Sequence, residues 1–465
     1  MHPSRTPEVP KRCQAPLQTF AKPGNLRPVR SLLSHDRSWA YRSMLLVTVC
    51  AVALGVWARL YHLGFPSRIL WDEKYFPVMA NKYLHGAYQF DLHPPLGKFI
   101  IAVGIFLFGN DPIGWRIMPL VFGLALLPLV GALGLYCLKE RVGALLLVTF
   151  FSVETIFIVN SRVGVMDIFL VFLVVATFLV ALRAEGGGQV ILCSLLLGLA
   201  IAIKWAAFPV AVPVGYVLWR KGLFRPFVGG LWISAVVYVA VVYVGALISV
   251  TANPVDAWLW VWDWHLKAAN KISAAIPHGW GSPWWSWPVM LRPIRFFYGV
   301  NGDGTLQVVM DIGNPLIWWS GTLAVLAGIV DITRKAIAKK LSADEPIIPI
   351  VLAYVFLLLP WVPGTRIPYL YNYLPIYPFA ILALVYWLCQ LWNRRPWGSW
   401  LVVAFAVSAV ALSVYFLPLA IALPIKQHDL MNRIWTDYWF VFEKPVPGSG
   451  CLVSNPTSLC PQTSG

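Results

Sequence analysis

Two short polar stretches interrupt an otherwise apolar chain just after its first apolar segment. One is Trp71-Asp72-Glu73-Lys74, and the other runs from Asp91 through His93-Pro94-Pro95 to Leu96. A carboxylate in such a gap can act as a general base and take a proton from an incoming hydroxyl. Asp72 and Glu73 are adjacent, so their side chains point in different directions on a helix or strand. The alternative interpretation is an interfacial ion pair of either carboxylate with Lys74.

A base that activates a hydroxyl suits glycosyl transfer with inversion, because the leaving group departs from the opposite face of the sugar. A phosphate leaving group needs no general acid if cations neutralise it. His93 precedes two prolines that restrict its backbone, so it is held in a defined place. It can bind substrate or assist proton transfer there, or it can be a structural histidine in a turn.

Ionisable side chains near the ends of apolar segments form a second group: Arg116, Arg162, Asp167 and Lys204. Such residues are costly in lipid and face a cavity or a partner. Arg116 and Lys204 can clamp a phosphate, or their long side chains can simply snorkel to the interface. For Arg162 and Asp167 we favour a structural Arg–Asp pair. Glu154, inside an apolar segment, has no explanation in the sequence.

The composition places this chemistry in a membrane. Of 465 residues 59% are hydrophobic and only 12% charged, with 24 Trp, whereas a soluble domain has roughly 25% charged residues. The net charge of +16 fits the Lys and Arg of cytoplasmic loops better than a nucleic-acid interface, since no basic face of a soluble domain is visible. We therefore expect no nucleic-acid partner, and the absence of a Walker-type loop disfavours an energy-coupled pump.

Apolar segments of about 20 residues are long enough to cross the hydrocarbon of a bilayer as helices. Eleven such spans are predicted, with a shorter helix at 96–108 lying at the interface. The predicted spans are 43–61, 115–137, 142–160, 163–182, 189–204, 205–219, 227–248, 315–331, 346–362, 369–391 and 397–420. The chain then divides into a disordered basic tail (1–42), a polytopic domain (43–424) and a polar C-terminal tail (425–465).

The distribution of basic residues sets the predicted orientation. With the N-terminus in the cytoplasm, the inner segments hold 20 of the 36 Lys and Arg, as the positive-inside rule requires. The long loops at about 62–114 and 249–314 then lie on the outer face with the polar residues described above. Trp residues of the second loop can anchor it at the interface or stack on sugars and isoprenoid chains.

The seven cysteines show no metal-ligand spacing. Cys50, Cys137, Cys193 and Cys389 lie in apolar segments, where small core residues are expected. Cys451 and Cys460 in the C-terminal tail can pair outside the cytoplasm or remain free thiols. Asp72 and Glu73 can hold a divalent ion, but two carboxylates without other placed ligands are a weak signal, so no metal site and no cofactor are predicted.

Several blocks together resemble one family, the protein O-mannosyltransferases (dolichyl-phosphate-mannose–protein mannosyltransferases), which have the GT-C membrane fold. They are Trp71-Asp72-Glu73, His93-Pro94-Pro95-Leu96, Trp115-Arg116-Ile117-Met118-Pro119, Ser161 through Leu170, Gly198 through Trp205, Ser286 through Pro293, Gly313 through Trp319, and Tyr371 through Pro375. The blocks follow the family's order over roughly residues 55–390. Eukaryotic members carry a large MIR insert in the second outer loop, whereas this loop has only about 66 residues, so the chain resembles a bacterial-type member.

The resemblance implies an all-α GT-C integral membrane protein with about eleven spans in the cell (inner or plasma) membrane. It implies a polyprenyl-phosphate-mannose donor, Ser or Thr acceptors on secreted or membrane proteins, and through them coupling to the secretion machinery. On the matching positions, Asp72 would be the catalytic base, with Glu73 beside it. Arg116 and Lys204 would contact the donor phosphate, and His93 and Arg292 would be neighbours of the site, as would Arg162 and Asp167. The alternatives are a lipid or cell-wall glycan acceptor and, from another class, a transporter or flippase.

Overall fold

The computed structural model describes residues 35–87, 92–249, 253–272, 280–363, 368–395 and 397–439. The described part is built from helices, with one small β-hairpin. The α-helices are α1 (His35–Leu60), α2 (Phe76–Leu84), α3 (Leu96–Phe108), α4 (Pro112–Cys137), α5 (Arg141–Val153), α6 (Thr155–Asn160), α7 (Asp167–Arg183), α8 (Gly187–Ile201), α9 (Ala211–Arg220), α10 (Phe224–Ser249), α11 (Pro254–Ile272), α12 (Pro315–Ile337), α13 (Ile347–Leu358), α14 (Tyr377–Arg394), α15 (Gly398–Ile421) and α16 (Gln427–Met431).

Every predicted apolar span coincides with a helix or with two helices in succession. Among the described residues, five helices are long and apolar enough to cross a membrane, namely α1, α4, α10, α12 and α15. Shorter apolar helices include α3, α5 and α8. The protein is thus a multi-pass membrane protein, and the count of eleven crossings stays a prediction. The short helix predicted at 96–108 is α3, with those bounds.

The helical run is broken at two ionisable residues, Glu154 and Lys204. The segment 142–160 forms α5 and α6, which are separated at Glu154, a residue with extended backbone angles. The segment 205–219 starts as a 3₁₀ helix, Trp205–Val210, with Lys204 as its extended N-cap residue. Lys204 predicts the second break, as the polar boundary between two apolar segments, whereas the break at Glu154 has no signal because the residues on both sides of it are apolar.

At the centre of the bundle, α7 packs between α4 and α8. It is apolar on all sides and buried on nearly all of them, as expected for a helix surrounded by other helices. Its first residue is Asp167, so the position of this buried helix fixes where that carboxylate lies.

The second long loop contains structure that an all-α prediction does not anticipate. Strands β1 (Ile294–Val300) and β2 (Leu306–Asp311) pair antiparallel, from Ile294 opposite Asp311 to Val300 opposite Leu306. In the connecting turn, Gly304 has a φ of +79°, which suits glycine because it has no Cβ. A single bridge between Leu306 and Ile425 joins the hairpin to the segment after α15.

The Trp residues of this loop divide between surface and core. Trp258, Trp262 and Trp285 are exposed, whereas Trp264, Trp280 and Trp287 are buried. The interface anchor remains a prediction for the exposed set, and the buried set belongs to the protein core.

Other expectations fall at the edges of the described chain. α1 begins at His35, so residues 35–42 are helical rather than part of a disordered tail. Most of the predicted N-terminal tail, Asp91, Cys451 and Cys460 lie outside the described residues. Cys137, Cys193 and Cys389 are buried as expected, but Cys50 is exposed on α1, because it lies on the outward face of that helix.

Candidate active site

The two carboxylates of the Asp72–Glu73 doublet have different environments. Both lie on the 3₁₀ helix Trp71–Lys74. Glu73 is fully buried, while Asp72 is half-buried. Trp71, just before them, has a φ of +33°, a strained conformation for a bulky residue that surrounding contacts must hold. Because Glu73 and Asp72 differ in burial, the two carboxylates are separate groups and do not form a shared acid pair.

Glu73 forms a bidentate ion pair with Arg116 of α4. Arg116 Nε lies 2.8 Å from Oε1 and Nη2 lies 2.9 Å from Oε2. The backbone N–H groups of Leu70 and Gly164 donate to the same carboxylate, each at 2.8 Å. A carboxylate has about four acceptor sites, so all those of Glu73 are occupied.

Arg116 is equally saturated. Besides Glu73, its guanidinium donates to the carbonyls of Leu63, Pro66 and Arg68 at 3.1, 2.9 and 3.3 Å. All five N–H donors of an arginine are thereby used, and the side chain is fully buried. The pair fastens the loop after α1 to α4, and neither partner has a free group for a ligand.

Gly164 completes this pairing from the turn between α6 and α7. Its N–H reaches Glu73 because the backbone comes close to its neighbours. A Cβ at this position would lie 3.0 Å from Pro77 Cγ and 3.2 Å from the Trp115 carbonyl oxygen. Any larger residue would be tightly packed against both neighbours, so glycine suits this close approach.

Asp72 faces a small charged cluster. Tyr371, on the 3₁₀ helix Leu370–Tyr373, donates its hydroxyl hydrogen bond to the Asp72 carboxylate. Partial burial raises the pKa of Asp72 to about 6, although the Lys204 ammonium and the Tyr371 hydrogen bond both act to lower that pKa. Asp72 is therefore ionised at neutral pH and able to accept a proton.

Lys204 and Asp167 complete the cluster. Lys204 Nζ lies 2.7 Å from Asp167 Oδ1, and both side chains are nearly buried. The ammonium also lies 5.3 Å from the centroid of the Tyr371 ring. Each of these groups approaches Tyr371 or Asp72. Three segments therefore meet beside Asp72: the start of α7, the start of the 3₁₀ helix after α8, and the Tyr-rich segment before α14.

Aromatic rings pack around Trp71, the residue before Asp72. Trp71 stacks on Phe296 of β1, with ring centroids 6.3 Å apart, and meets Trp280 and Tyr369 edge-on at 6.4 and 6.2 Å. Tyr369 in turn stacks on Tyr371 at 5.5 Å. The hairpin of the second loop therefore packs against Trp71, the residue before Asp72.

Other sequence-derived candidates lie elsewhere. The favoured Arg162–Asp167 pair is wrong: Arg162 donates to the carbonyls of Ala58 and Arg59 at 2.8 and 3.0 Å, while Asp167 binds Lys204. These carbonyls belong to the last turn of α1, where helix carbonyls lack partners within the helix and an arginine can bind them.

His93 lies beside Phe76 and Lys98, and Arg292 lies in the second long loop. The His93 ring lies 6.1 Å from that of Phe76, and its carbonyl accepts from buried Lys98 Nζ at 2.6 Å. Arg292 donates to the Gly281 carbonyl at 3.1 Å. Their suggested roles near the substrate remain predictions.

Sequence reasoning missed Tyr371 as a partner of Asp72, although it stood in the matched Tyr-rich block. It also missed Lys98, the lysine that closes the His-Pro-Pro-Leu block. Among the residues that the structure describes, no group of three or more His, Cys, Asp or Glu is arranged to hold a metal ion.

The described structure is thus a helical multi-pass membrane protein with a cluster of ionisable side chains beside Asp72. Residues 49–115 and 112–265 match the family described as dolichyl-phosphate-mannose-protein mannosyltransferase. Residues 258–439 match the C-terminal four TMM region of protein-O-mannosyltransferase. The chain belongs to the protein O-mannosyltransferase family, as a bacterial member.

Relatives and a solved structure agree with this membership. Two are named polyprenol-phosphate-mannose–protein mannosyltransferase. The one from Mycobacterium tuberculosis is 24% identical over 92% of this chain and 97% of the relative. The one from Corynebacterium glutamicum is 23% identical over 78% and 84%. The fold is similar to that of the S. cerevisiae Pmt1-Pmt2 complex bound to the sugar donor, with a TM-score of 0.75 and 14% identity over 90% of this chain and 94% of the other.

Proposed function

We propose that the protein transfers mannose from polyprenol-phosphate-mannose to Ser or Thr hydroxyls of proteins, with Asp72 as the general base. The observation that carries this assignment is the contrast within the doublet. Glu73 has no unused acceptor site, whereas half-buried Asp72 faces Lys204 and Tyr371. The donor and acceptor class are those named for the relatives from Mycobacterium tuberculosis and Corynebacterium glutamicum.

In the reaction, the acceptor oxygen attacks the anomeric carbon of mannose while its proton passes to Asp72. A bond forms between that oxygen and the carbon, and the bond from the carbon to the donor phosphate breaks. The electron pair leaves with the polyprenyl phosphate, whose charge Lys204 meets. Attack from the face opposite the leaving group inverts the anomeric configuration.

Lys204 has two roles in this scheme. Without donor it is held by Asp167, which keeps a buried ammonium paired. A phosphate arriving beside Asp167 gives the ammonium a second anionic partner. Arg116, assigned to the donor phosphate on sequence grounds, acts instead with Glu73 to hold the Trp71–Lys74 helix in place.

The site faces the outer side of the cell membrane in this proposal, with the N-terminus in the cytoplasm. Support comes from the excess of Lys and Arg in the opposite loops. Acceptors on that side would be proteins that have crossed the membrane, so the proposal includes coupling to the secretion machinery.

Replacing Lys204 tests the phosphate assignment. For Lys204→Met we expect the KM for the lipid-linked donor to rise about 10–100-fold, the range of a lost hydrogen bond to a charged group. The KM for an acceptor peptide should stay nearly constant. Initial rates at varied donor and acceptor concentrations measure both, with exposed Lys267→Met as the control. An unchanged donor KM would remove Lys204 from the phosphate site.

The pH profile tests the base. Since the pKa of Asp72 is raised to about 6, kcat/KM should be constant above that pH and fall about tenfold per unit below it. Lys204 lowers this pKa, so in Lys204→Met the falling limb should move to higher pH. Initial rates across the acid range measure the pH profiles of the wild type and of Lys204→Met. A fall in kcat/KM that begins only near the usual pKa of an Asp side chain would contradict burial as the dominant effect.

A further inference from the structure

Two buried side chains behind the site each leave one oxygen without a hydrogen bond. Asp311, the last residue of β2, and Asn160, the last residue of α6, are fully buried. Asn160 Nδ2 donates to Asp311 Oδ1 at 2.6 Å. Asp311 Oδ2 and Asn160 Oδ1 have no partner in the described part of the chain. Two such unsatisfied atoms on directly bonded side chains call for a physical explanation.

A single proton on Asp311 Oδ2 would give both Asp311 Oδ2 and Asn160 Oδ1 a hydrogen bond. If Asp311 is a neutral carboxylic acid, its Oδ2–H can donate to Asn160 Oδ1 while Asn160 Nδ2–H donates to Asp311 Oδ1. The two hydrogen bonds then close a ring between acid and amide, which uses one donor and one acceptor of each group. An ionised Asp311 would instead leave a buried charge that faces an amide oxygen, an arrangement with a high desolvation cost.

The surroundings favour the neutral form. Burial, and to a smaller extent the nearby Asp167 carboxylate, raise the pKa of Asp311 well above its usual value, against the lowering effect of the Asn160 hydrogen bond. The carboxylate of Glu154, at the start of α6, has partners of its own. Its oxygens accept from the Asn314 N–H at 2.6 Å and the Tyr377 hydroxyl at 3.0 Å. Neither Asp167 nor Glu154 supplies a positive charge to Asp311.

The pair lies where it can control the site. Asn160 ends the short helix α6, four residues before Gly164 and seven before Asp167. Thr155 at the other end of α6 donates to the Ile312 carbonyl at 2.7 Å, so the helix is joined to the hairpin at both ends. The turn that carries the Glu73 and Lys204 partners thus starts from an anchored residue.

We propose that Asp311 is a protonated carboxylic acid that binds Asn160 as a neutral acid–amide pair and so positions the turn carrying Asp167, the partner of Lys204. Neutrality avoids repulsion between Asp311 and the nearby Asp167 carboxylate.

Infrared difference spectroscopy of the purified protein tests the protonation state without any substrate. At neutral pH, the carbonyl band of a protonated carboxyl, shifted in D₂O, should be lost in Asp311→Asn. Asp303→Asn is the matched control on the same hairpin, because hydrogen bonds from Thr305 lower the pKa of exposed Asp303. Absence of a band that depends on Asp311 would overturn the proposal whether or not the enzyme transfers mannose.

Kinetics test the positioning role. Asp311→Asn still offers a donor to Asn160 Oδ1, so we expect kcat/KM within about twofold of wild type and an unchanged acid limb. Asp311→Leu removes both bonds and should lower kcat/KM for the donor at least about tenfold, the effect of an unsatisfied buried polar group. A move of the acid limb to lower pH in Asp311→Asn would show that Asp311 is ionised. If Asp311→Leu does not fold, Asp311→Asn and the infrared band still decide.

Discussion

Asp72→Asn should lower kcat by about 10²–10⁴-fold, the contribution of a positioned general base. The amide keeps the shape of the side chain and can still bind Tyr371, but it cannot take the acceptor proton. Because Asp72 is half-buried and makes no ion pair at contact distance in the described structure, the free energy of unfolding should change little. Rates with saturating donor and acceptor, together with thermal unfolding in detergent, measure the two effects.

The control is Asp256→Asn, an exposed carboxylate in the first turn of α11. It should keep wild-type rates. If Asp72→Asn retained full activity while folded and inserted, Asp72 would have no part in the mechanism.

Glu73→Gln should destabilise the protein by about 3–5 kcal/mol, the cost of breaking a buried ion pair by removing one partner. The substitution leaves the Arg116 guanidinium buried without its anion, and it replaces one of the two acceptor oxygens by a donor. Loss of activity should follow from loss of folded protein rather than from the chemical step. Unfolding temperature and the specific activity of the remaining folded fraction separate the two causes.

Two comparisons sharpen this prediction. Glu185→Gln, an exposed residue after α7, should leave the unfolding temperature unchanged. The double variant Glu73→Gln/Arg116→Met should be more stable than Glu73→Gln alone, because the uncompensated charge is gone. A Glu73→Gln protein as stable as wild type but inactive would contradict the structural role and place Glu73 among the groups that touch substrate.

The helices could be predicted from the sequence because they depend on local pattern. Runs of apolar residues gave the helices, and an interruption after the first run pointed to Asp72. The hairpin could not be found this way, since β1 and β2 were read as part of a Trp-rich loop. The break at Glu154 was also missed, because a single carboxylate inside an apolar run has no periodic signature.

The pairings of side chains within the site could not be predicted from the sequence for a different reason. Glu73 and Arg116 are 43 residues apart, Asp167 and Lys204 are 37, and Asn160 and Asp311 are 151. No spacing rule relates such positions, so an adjacent doublet looked like two catalytic groups and Arg116 looked like a free cation. Only tertiary packing shows that one carboxylate is saturated and the other accessible.

Peptide mass gives the most direct test of the central claim. Purified protein in nanodiscs would receive polyprenyl-phosphate-mannose and a Ser/Thr-rich peptide, with Asp72→Asn and Asp256→Asn in parallel. The proposal predicts a gain of one hexose per modified residue with the wild type and Asp256→Asn, and none with Asp72→Asn. Donor consumption without peptide gain, when membrane lipid or glycan is present, would contradict the protein acceptor, and an equal gain with Asp72→Asn would contradict the base.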